Sequence, residues 1–305
     1  MMNHKEFEAL ILREVTALLD EKEEAYCEYA DGNILEDCLV IEVMDGEIKF
    51  GATIVSLYEA YCSGTSMKML AEELVKEKED YEKMNGLEIL KLLGDYDAVK
   101  EKLWIRAVNE NSHSRVVKRG IYKQISDILL AVYLQVGESE KQFCTTPVDC
   151  IYLDKWGLSE DAVWENAMEN TMRMAQPRFY NCQELLLSYI SGKCRGIPVE
   201  EFVPTFMEGQ FGCFLSTDRK TGGAAAIFYP GVAKKICEVI HTDAIFIVPT
   251  SIHEVAIHDC RDIDDPNRLL EVMKHTVEEA TPEQDILSWH VFKYELDTDE
   301  IREAV

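Results

Sequence analysis

Long apolar runs are missing from this sequence of 305 residues. A helix that spans a bilayer needs about 20 consecutive apolar residues, and no stretch here reaches that length. The first residues, MMNHKEFEALILREV, carry acidic side chains among the apolar ones, which argues against a secretory signal peptide. We therefore expect a cytoplasmic protein that has no membrane partner.

Paired cysteine motifs are missing as well. The ten cysteines are scattered, and no two of them form a C-x-x-C pair. Without a secretory signal, this pattern favours reduced, buried thiols over a disulfide framework. Cys194, between Lys193 and Arg195, is the one thiol whose neighbours favour a lowered pKa. We expect neither a metal site nor a cofactor.

Basic residues are scarce. The chain has 31 lysines and arginines against 57 aspartates and glutamates, a formal net charge of -26. Residues 1–50 carry a net charge of -10 and residues 259–305 carry -9, so the excess lies mainly at the two ends. Such a field repels nucleic acid and anionic lipid. It indicates a solubilising surface, a surface that binds a basic protein partner, or a mimic of DNA.

One basic cluster stands out against this background. Arg115, Lys118, Arg119 and Lys123 lie between two predicted strands, at 101–109 and 127–136. Two interpretations are open for these side chains. They form an anion-binding loop, or they pair with neighbouring carboxylates.

Hydrophobic spacing predicts an α+β fold with mixed or antiparallel sheets and packed helices. In the first part of the chain it predicts helices at 6–19, 57–62 and after Ser66, with strands at 25–29, 39–44 and 50–55. The polar stretch at 137–142 is the best internal boundary. It divides the chain into an α/β half, 1–138, and an α+β half, 139–305, which form two domains or one continuous domain.

The C-terminal half is predicted to end in a ββαββα unit. Ser159 is placed to cap one helix, and a second helix is predicted at 183–190. The unit itself has predicted strands at 211–216, 224–228, 244–248 and 252–258, and predicted helices at 231–240 and 266–277. Residues 281–284 match the pattern of a capping box. A closing strand is predicted at 291–296.

Residues 249–254 carry the most suggestive polar side chains. On a strand, Ser251 and His253 would share one face near Glu254, as a nucleophile and base of a hydrolase require. The alternative is a turn whose hydroxyl groups satisfy backbone groups. A zinc site is not expected from His253 and His258, because five-residue spacing on a strand directs them to opposite faces.

Three further residues are predicted to bind a ligand: Thr250, Trp156 and Asn170. Thr250 neighbours the predicted catalytic group, and Asn170 carries an amide that can bond a ligand or a neighbouring loop. The Thr221-Gly222-Gly223 sequence is predicted to form a hairpin turn, because no phosphate-loop pattern surrounds it.

Several segments together resemble an uncharacterised bacterial family of unknown function that is common in anaerobic gut Firmicutes. The family pattern G-A-A…Y-P-G…P-S-S-x-H-E is matched by Gly223-Ala224-Ala225, Tyr229-Pro230-Gly231 and Pro249 to Glu254, with Thr250 replacing a serine. Its W-G-x-S…A-x-x-N-T segment is similar to Trp156–Ser159 with Ala167, Asn170 and Thr171. The resemblance covers nearly the whole chain and implies one family unit, without an activity or a catalytic residue.

The composition therefore favours a non-enzymatic protein-interaction module, which uses its acidic ends or the edge at 249–254. The alternatives are a hydrolase-like enzyme that uses Ser251, His253 and Glu254, and a DNA-mimic protein of a mobile element.

Overall fold

The computed structural model describes residues 2–20, 22–29, 37–43, 48–83, 89, 91–138, 143–181, 196–201 and 213–305. The chain divides into two units, Met1–Leu93 with Gln135–Thr145, and Gly94–Leu134 with Thr146–Val305. The predicted boundary at 138/139 stays a prediction. The helix predicted at 183–190 and the thiol of Cys194 lie outside the described residues.

In the first unit, helices pack on a three-stranded antiparallel sheet of order β1-β2-β3. The elements are α1 (His4–Thr16), β1 (Glu24–Glu28), β2 (Cys38–Val43), β3 (Ile48–Thr53), α2 (Ile54–Cys62) and α3 (Met67–Lys83). Asn3 and Glu6 form a capping box that satisfies backbone N–H groups at the start of α1. The predicted strands and helices of this region are confirmed.

Apolar spacing explains the core of the first unit. Phe7, Ile11 and Val15 recur on one face of α1, and all three are fully buried. They join Leu39 and Ile41 of β2 in one cluster. Ser66 accepts a hydrogen bond from the N–H of Met69 at 3.3 Å, so it caps α3 as its position predicts.

A second sheet has the strand order β4-β6-β5, with β7 also paired to β6. Its strands are β4 (Leu103–Asn109), β5 (Tyr122–Ile125), β6 (Ile128–Glu138) and β7 (Phe143–Pro147). The helices of this region are α4 (Tyr96–Val99), α5 (Ser114–Arg119), α6 (Ile151–Trp156) and α7 (Glu160–Met174). Ser159 caps α7 as predicted, since its hydroxyl oxygen accepts from the N–H of Ala162 at 3.3 Å.

The largest sheet lies in the second unit and is antiparallel throughout, with the order β14-β13-β11-β12-β10-β8-β9. Its strands are β8 (Pro177–Asn181), β9 (Ile197–Pro198), β10 (Cys213–Thr217), β11 (Ala244–Pro249), β12 (Val255–Asp259), β13 (Phe292–Glu295) and β14 (Glu300–Glu303). Two helices, α8 (Val232–Ile240) and α9 (Pro266–Ala280), complete this unit. The α+β class with antiparallel sheets and packed helices is confirmed.

Both faces of this sheet are covered. Phe246 and Val248 of β11 pack with Met273 of α9. Ile245 and Ile247, which point to the opposite face because side chains alternate along a strand, are also fully buried. This arrangement explains why β11 is a nearly continuous apolar run in the sequence.

One predicted strand of the C-terminal unit is wrong. Gly223–Phe228 forms a 3-10 helix, whereas the sequence favoured a strand at 224–228. An apolar run of this length does not by itself distinguish a buried strand from a buried helix. Gly222, at φ 64, turns the chain, and the N–H of Ala224 bonds the carbonyl of Ile252 at 3.2 Å, outside any strand ladder.

Two smaller predictions in this unit are also wrong. The capping box at 281–284 is absent: a single 3-10 turn, Glu283–Asp285, begins after Pro282 without a side-chain cap. The Thr281 hydroxyl donates instead to the carbonyl of Thr250 at 3.0 Å. The strand predicted at 252–258 begins later, at Val255, because residues 250–254 form a turn.

Candidate functional site

The turn between β11 and β12 holds the predicted catalytic residues. Hydrogen bonds from side chains of the turn itself stabilise it. The Ser251 hydroxyl donates to Oε1 of Glu254 at 2.8 Å and accepts from the backbone N–H of His253 at 2.9 Å. Thr250 Oγ1 lies 3.0 Å from the carbonyl oxygen of Glu254. The contacts with the His253 N–H and the Glu254 carbonyl join side chain to backbone within the turn, and contacts of this kind stabilise tight turns.

The His253 imidazole is held away from this group. Its Nδ1 accepts a hydrogen bond from the backbone N–H of Gly222 at 3.1 Å. The proton of the neutral ring therefore lies on Nε2, which is 3.8 Å from Oδ2 of Asp285. The His253 carbonyl accepts from the Ser216 hydroxyl at 2.7 Å, which anchors the turn to β10.

The structure thus brings Ser251 and Glu254 together, but it does not join either of them to the imidazole. Among the described residues no hydrogen bond links the Ser251 hydroxyl to the His253 ring. Ser251 and His253 do not share a strand face, because both precede the first residue of β12. Ser251 is 5% exposed, so a substrate has little access to its hydroxyl. The catalytic role stays a prediction.

Gly223 explains why the chain is so tightly packed beside this turn. A Cβ atom at this position would lie 2.7 Å from the His253 carbonyl oxygen and 2.8 Å from the backbone nitrogen of Thr217. Real Cβ atoms do not approach other atoms so closely, and only glycine fits. The Gly-Ala-Ala segment is therefore a packing element against the 250–254 turn.

Asn170 and Trp156, predicted to bind a ligand, take part in packing. Asn170 is buried, and its Nδ2 donates to the carbonyls of Lys100 at 2.7 Å and Leu103 at 3.1 Å. These bonds fix α7 to the start of β4. The Trp156 ring lies 5.3 Å from that of Tyr96, within an aromatic cluster. A ligand role for either residue stays a prediction.

The basic cluster at 115–123 is partly paired with carboxylates. Arg119 Nη1 lies 3.9 Å from Asp149 Oδ2, and Lys123 Nζ lies 3.4 Å from Asp161 Oδ1. Lys123 also sits 4.0 Å from the centre of the Trp164 ring. The salt-bridge interpretation is therefore confirmed for these two cations.

A cavity of about 480 Å³ lies in the second unit, at the edge of the large sheet. It is lined by the end of α7, by β8 and β9, and by the segment that leads into α8. The lining includes Arg178, Glu200, Tyr229, Pro230, Val232 and Lys235. Burial, and then the Asp218 carboxylate, raise the pKa of Tyr229. The sequence contained the Tyr-Pro-Gly motif, but pairing it with Arg178 required the fold.

Acidic side chains dominate the exposed surface of residues 259–305. We call the exposed carboxylates of this segment the C-terminal acidic set. Its members are Asp262, Asp264, Asp265, Glu271, Glu278, Glu279, Glu283, Asp297, Asp299, Glu300 and Glu303. Among the described residues, Arg302 is the one lysine or arginine within salt-bridge distance of a member, at 3.9 Å from Glu300.

Over the part of the chain that the structure describes, no group of histidine, cysteine and acidic side chains is arranged to hold a metal ion. Within the same residues, no helix combines the length and the apolar character that crossing a membrane requires.

Comparison with known proteins gives one match. A family model described as a family of unknown function, DUF5688, matches residues 4–296. No curated protein and no solved structure matches the chain. The resemblance to a family of unknown function over nearly the whole chain is confirmed.

Proposed function

The chain belongs to DUF5688, a family of unknown function, and on that premise we propose that it is a non-enzymatic interaction protein. The proposed partner is a basic protein, and the C-terminal acidic set is the surface that binds it. The observation that carries the proposal is the imbalance of charge on this surface: among the described residues, one lysine or arginine, Arg302, lies within salt-bridge distance of a carboxylate of the set.

Three of the five basic side chains of the same segment engage carboxylates outside the set, whereas Arg268 and Lys274, exposed on α9, make no salt bridge among the described residues. Arg261 bonds Asp259, with Nε 3.0 Å from Oδ2. Lys293 and Arg302 both contact Glu295, at 2.6 and 2.5 Å. Asp259 and Glu295 are outside the set, so apart from the contact of Arg302 with Glu300 these pairs leave the exposed carboxylates of the set without a lysine or arginine at salt-bridge distance among the described residues. A dense field of one sign accelerates association with a partner of the opposite sign and makes binding sensitive to salt.

The edge at 249–254 supports the proposal less well than the acidic set. Ser251, Thr250 and Glu254 bond one another, and Ser216, Gly222 and Thr281 bond the same turn from neighbouring segments. A surface that already satisfies its polar groups gains little from a partner. We therefore assign the proposed binding to the acidic set.

The test is affinity capture from the lysate of the protein's host, with elution across a salt gradient. One variant carries Glu271→Gln, Glu278→Gln and Glu279→Gln on α9. The matched control carries Glu160→Gln, Glu165→Gln and Glu169→Gln, at exposed positions of α7. Both variants change the net charge of the protein by the same amount. The proposal predicts a stoichiometric basic partner that the control retains and the α9 variant loses. A partner lost equally from both variants, or no stoichiometric partner, would refute it.

The hydrolase alternative has its own test. Ser251 is the proposed nucleophile, so a fluorophosphonate probe should label the wild type and not the Ser251→Ala variant if this alternative is correct. Absence of Ser251-dependent labelling removes the main support for this activity. The DNA-mimic alternative predicts instead that the protein competes with duplex DNA for a DNA-binding partner.

A further inference from the structure

The cavity beside α8 has a charge that contrasts with the rest of the chain. Arg178 and Lys235 line it, against one acidic lining residue, Glu200, among those described. Lys235 Nζ also lies 3.5 Å from Oε2 of Glu238, in a half-exposed i,i+3 pair on α8 that an anionic ligand would share. The chain as a whole carries a net charge of -26, so an excess of cations among the described lining residues departs from the overall composition. The overall field repels anions, so the local cations matter for what the cavity accepts.

The rest of the lining is largely apolar. Tyr229, Pro230 and Val232 lie on one side, and Pro177, Pro198 and Val199 come from the sheet edge. A volume of about 480 Å³ suits a small organic molecule. Apolar walls with a few placed charges are the usual composition of ligand pockets.

The first turn of α8 adds to the positive potential. Val232 and Lys235 belong to this turn, and Gly231 precedes it at φ 79 without a side-chain cap. The amino end of a helix carries a partial positive charge. This contribution has the same sign as that of the two cationic side chains.

We propose that this cavity binds a small organic anion, with its acidic group near Arg178 and Lys235 and its apolar body against Tyr229, Pro230 and Val232. The acidic group is a carboxylate or a phosphate. Glu200 disfavours a second negative group on the same ligand, because like charges repel at short range. The proposed site does not depend on the interaction function of the C-terminal acidic set.

The experiment uses four phenyl probes of similar size and different charge: benzoate, phenyl phosphate, benzylamine and benzyl alcohol. Binding to the full chain is measured by ligand-observed NMR titration. We expect at least one of the two acids to bind about tenfold more tightly than the amine and the alcohol, since charge-assisted hydrogen bonds are roughly twice as strong as neutral ones. The acid that binds identifies the acidic group.

Two lysines on the same helix provide the matched variants. Lys235 lines the cavity and Lys234 is exposed beside it, outside the described lining. Lys235→Gln should weaken binding of the preferred acid about tenfold, whereas Lys234→Gln should leave it within about twofold. Thermal unfolding of both variants checks that the fold is intact. Equal effects of the two substitutions, equal binding of acids and amine, or no saturable binding of either acid would overturn the proposal.

Discussion

The backbone N–H of Gly222 donates a 3.1 Å hydrogen bond to Nδ1 of His253. The ring nitrogen that accepts this bond is not available to take a proton from a serine. Ser251 in turn is bonded to Glu254 and to the His253 N–H, at 2.8 and 2.9 Å. Two residues that the sequence suggests as nucleophile and base therefore stabilise one turn through separate contacts.

Ser251→Ala should destabilise the protein. The substitution removes the acceptor of the His253 N–H in a nearly buried turn, and it removes one of the two hydroxyl contacts to Glu254 Oε1, since Thr250 keeps the other at 3.1 Å. We expect a cost of about 1–3 kcal/mol in the free energy of unfolding. Urea unfolding measures the change. Thr298→Ala, at an exposed position, is the control and should cost under about 0.5 kcal/mol. Equal stability of the Ser251 variant and the wild type would contradict a structural role.

Gly223→Ala should destabilise the protein more than Gly94→Ala. A methyl group at 223 meets the His253 carbonyl at 2.7 Å, whereas a methyl group at 94 meets no atom within 4 Å. We expect a cost of about 1–3 kcal/mol at 223. At 94 we expect a change between zero and a gain of about 0.5 kcal/mol. Similar unfolding midpoints in urea for the two variants would show that packing at 223 has been misassigned.

The Asp259 carboxylate should make a pH-dependent contribution to the stability of the protein. Burial disfavours its charge, but hydrogen bonds from Arg261 and Thr242 outweigh burial and lower the pKa of Asp259. A carboxyl group whose pKa is lower in the folded state stabilises that state at any pH above its unfolded-state pKa of about 3.9. This contribution is lost as the pH falls through the folded-state pKa. Asp259→Asn should therefore lower stability at pH 7, by an amount that shrinks below about pH 4.

Urea unfolding of this variant at pH 7 and pH 3 checks the sign. Asp262→Asn, at an exposed neighbouring carboxylate, is the control and should change stability at pH 7 by less than about 0.5 kcal/mol. A deficit of Asp259→Asn that persists or grows at pH 3 would contradict the assigned role.

Thiol labelling should follow burial. Burial, and then the nearby Cys260 thiol, raise the pKa of Cys237 to about 12, while Cys62 and Cys150 are exposed. The thiolate is the reactive form, so iodoacetamide at pH 8 should modify Cys62 and Cys150 in the native protein and leave Cys237 unmodified. Peptide mass spectrometry identifies the labelled sites, and labelling in urea confirms that Cys237 is detectable. Rapid native labelling of Cys237 would show that this helix opens readily.

Glu77→Gln should stabilise the first unit at neutral pH. Glu77 is an exposed residue of α3, and partial desolvation by its neighbours, followed by the Glu73 carboxylate one helical turn away, raises its pKa. Removing its charge relieves a like-charge pair worth about 0.3 kcal/mol. The gain should fade as the pH drops through the raised pKa, because Glu77 is then itself protonated.

The control for this prediction is Glu72→Gln on the same helix. Glu72 lies 3.6 Å from Lys68 in an i,i+4 pair, so its neutralisation should give no gain or a small loss. Chemical unfolding of both variants at pH 7 and pH 4 compares them. A larger gain from the Glu72 variant would contradict the charge assignment on α3.

Sequence patterns predicted the elements whose signals are local. Ser159 and Ser66 cap the helices that they were expected to cap, and Asp265 with Pro266 begins α9. Helix caps depend on a hydroxyl or carboxylate near the first backbone N–H groups, and such contacts are fixed within three or four residues. The buried runs of β4 and β6 were recognisable for a similar reason.

The failures occurred where distant residues compete for the same backbone. Ala224–Phe228 has the apolar character of a strand, but the N–H of Ala224 pairs with Ile252 and the chain forms a 3-10 helix. The alternation at 252–258 suggested an early strand, yet Ser216 and Gly222 hold His253 in a turn. These partners lie 28 to 37 residues away in the sequence, beyond the reach of any periodicity argument.

The sequence by itself determined the α+β class, the acidic excess at both ends and the resemblance to one family over nearly the whole chain. It could do so because composition, hydrophobic spacing and motifs are properties of the chain. Tertiary structure decided which polar groups are available. It enclosed Ser251 and Asn170 in hydrogen bonds, left the C-terminal carboxylates exposed, and brought Arg178 to the same cavity as Lys235. Hydrogen-bond saturation and burial depend on which segments meet in space, and that follows from sheet order, which the sequence pattern does not specify.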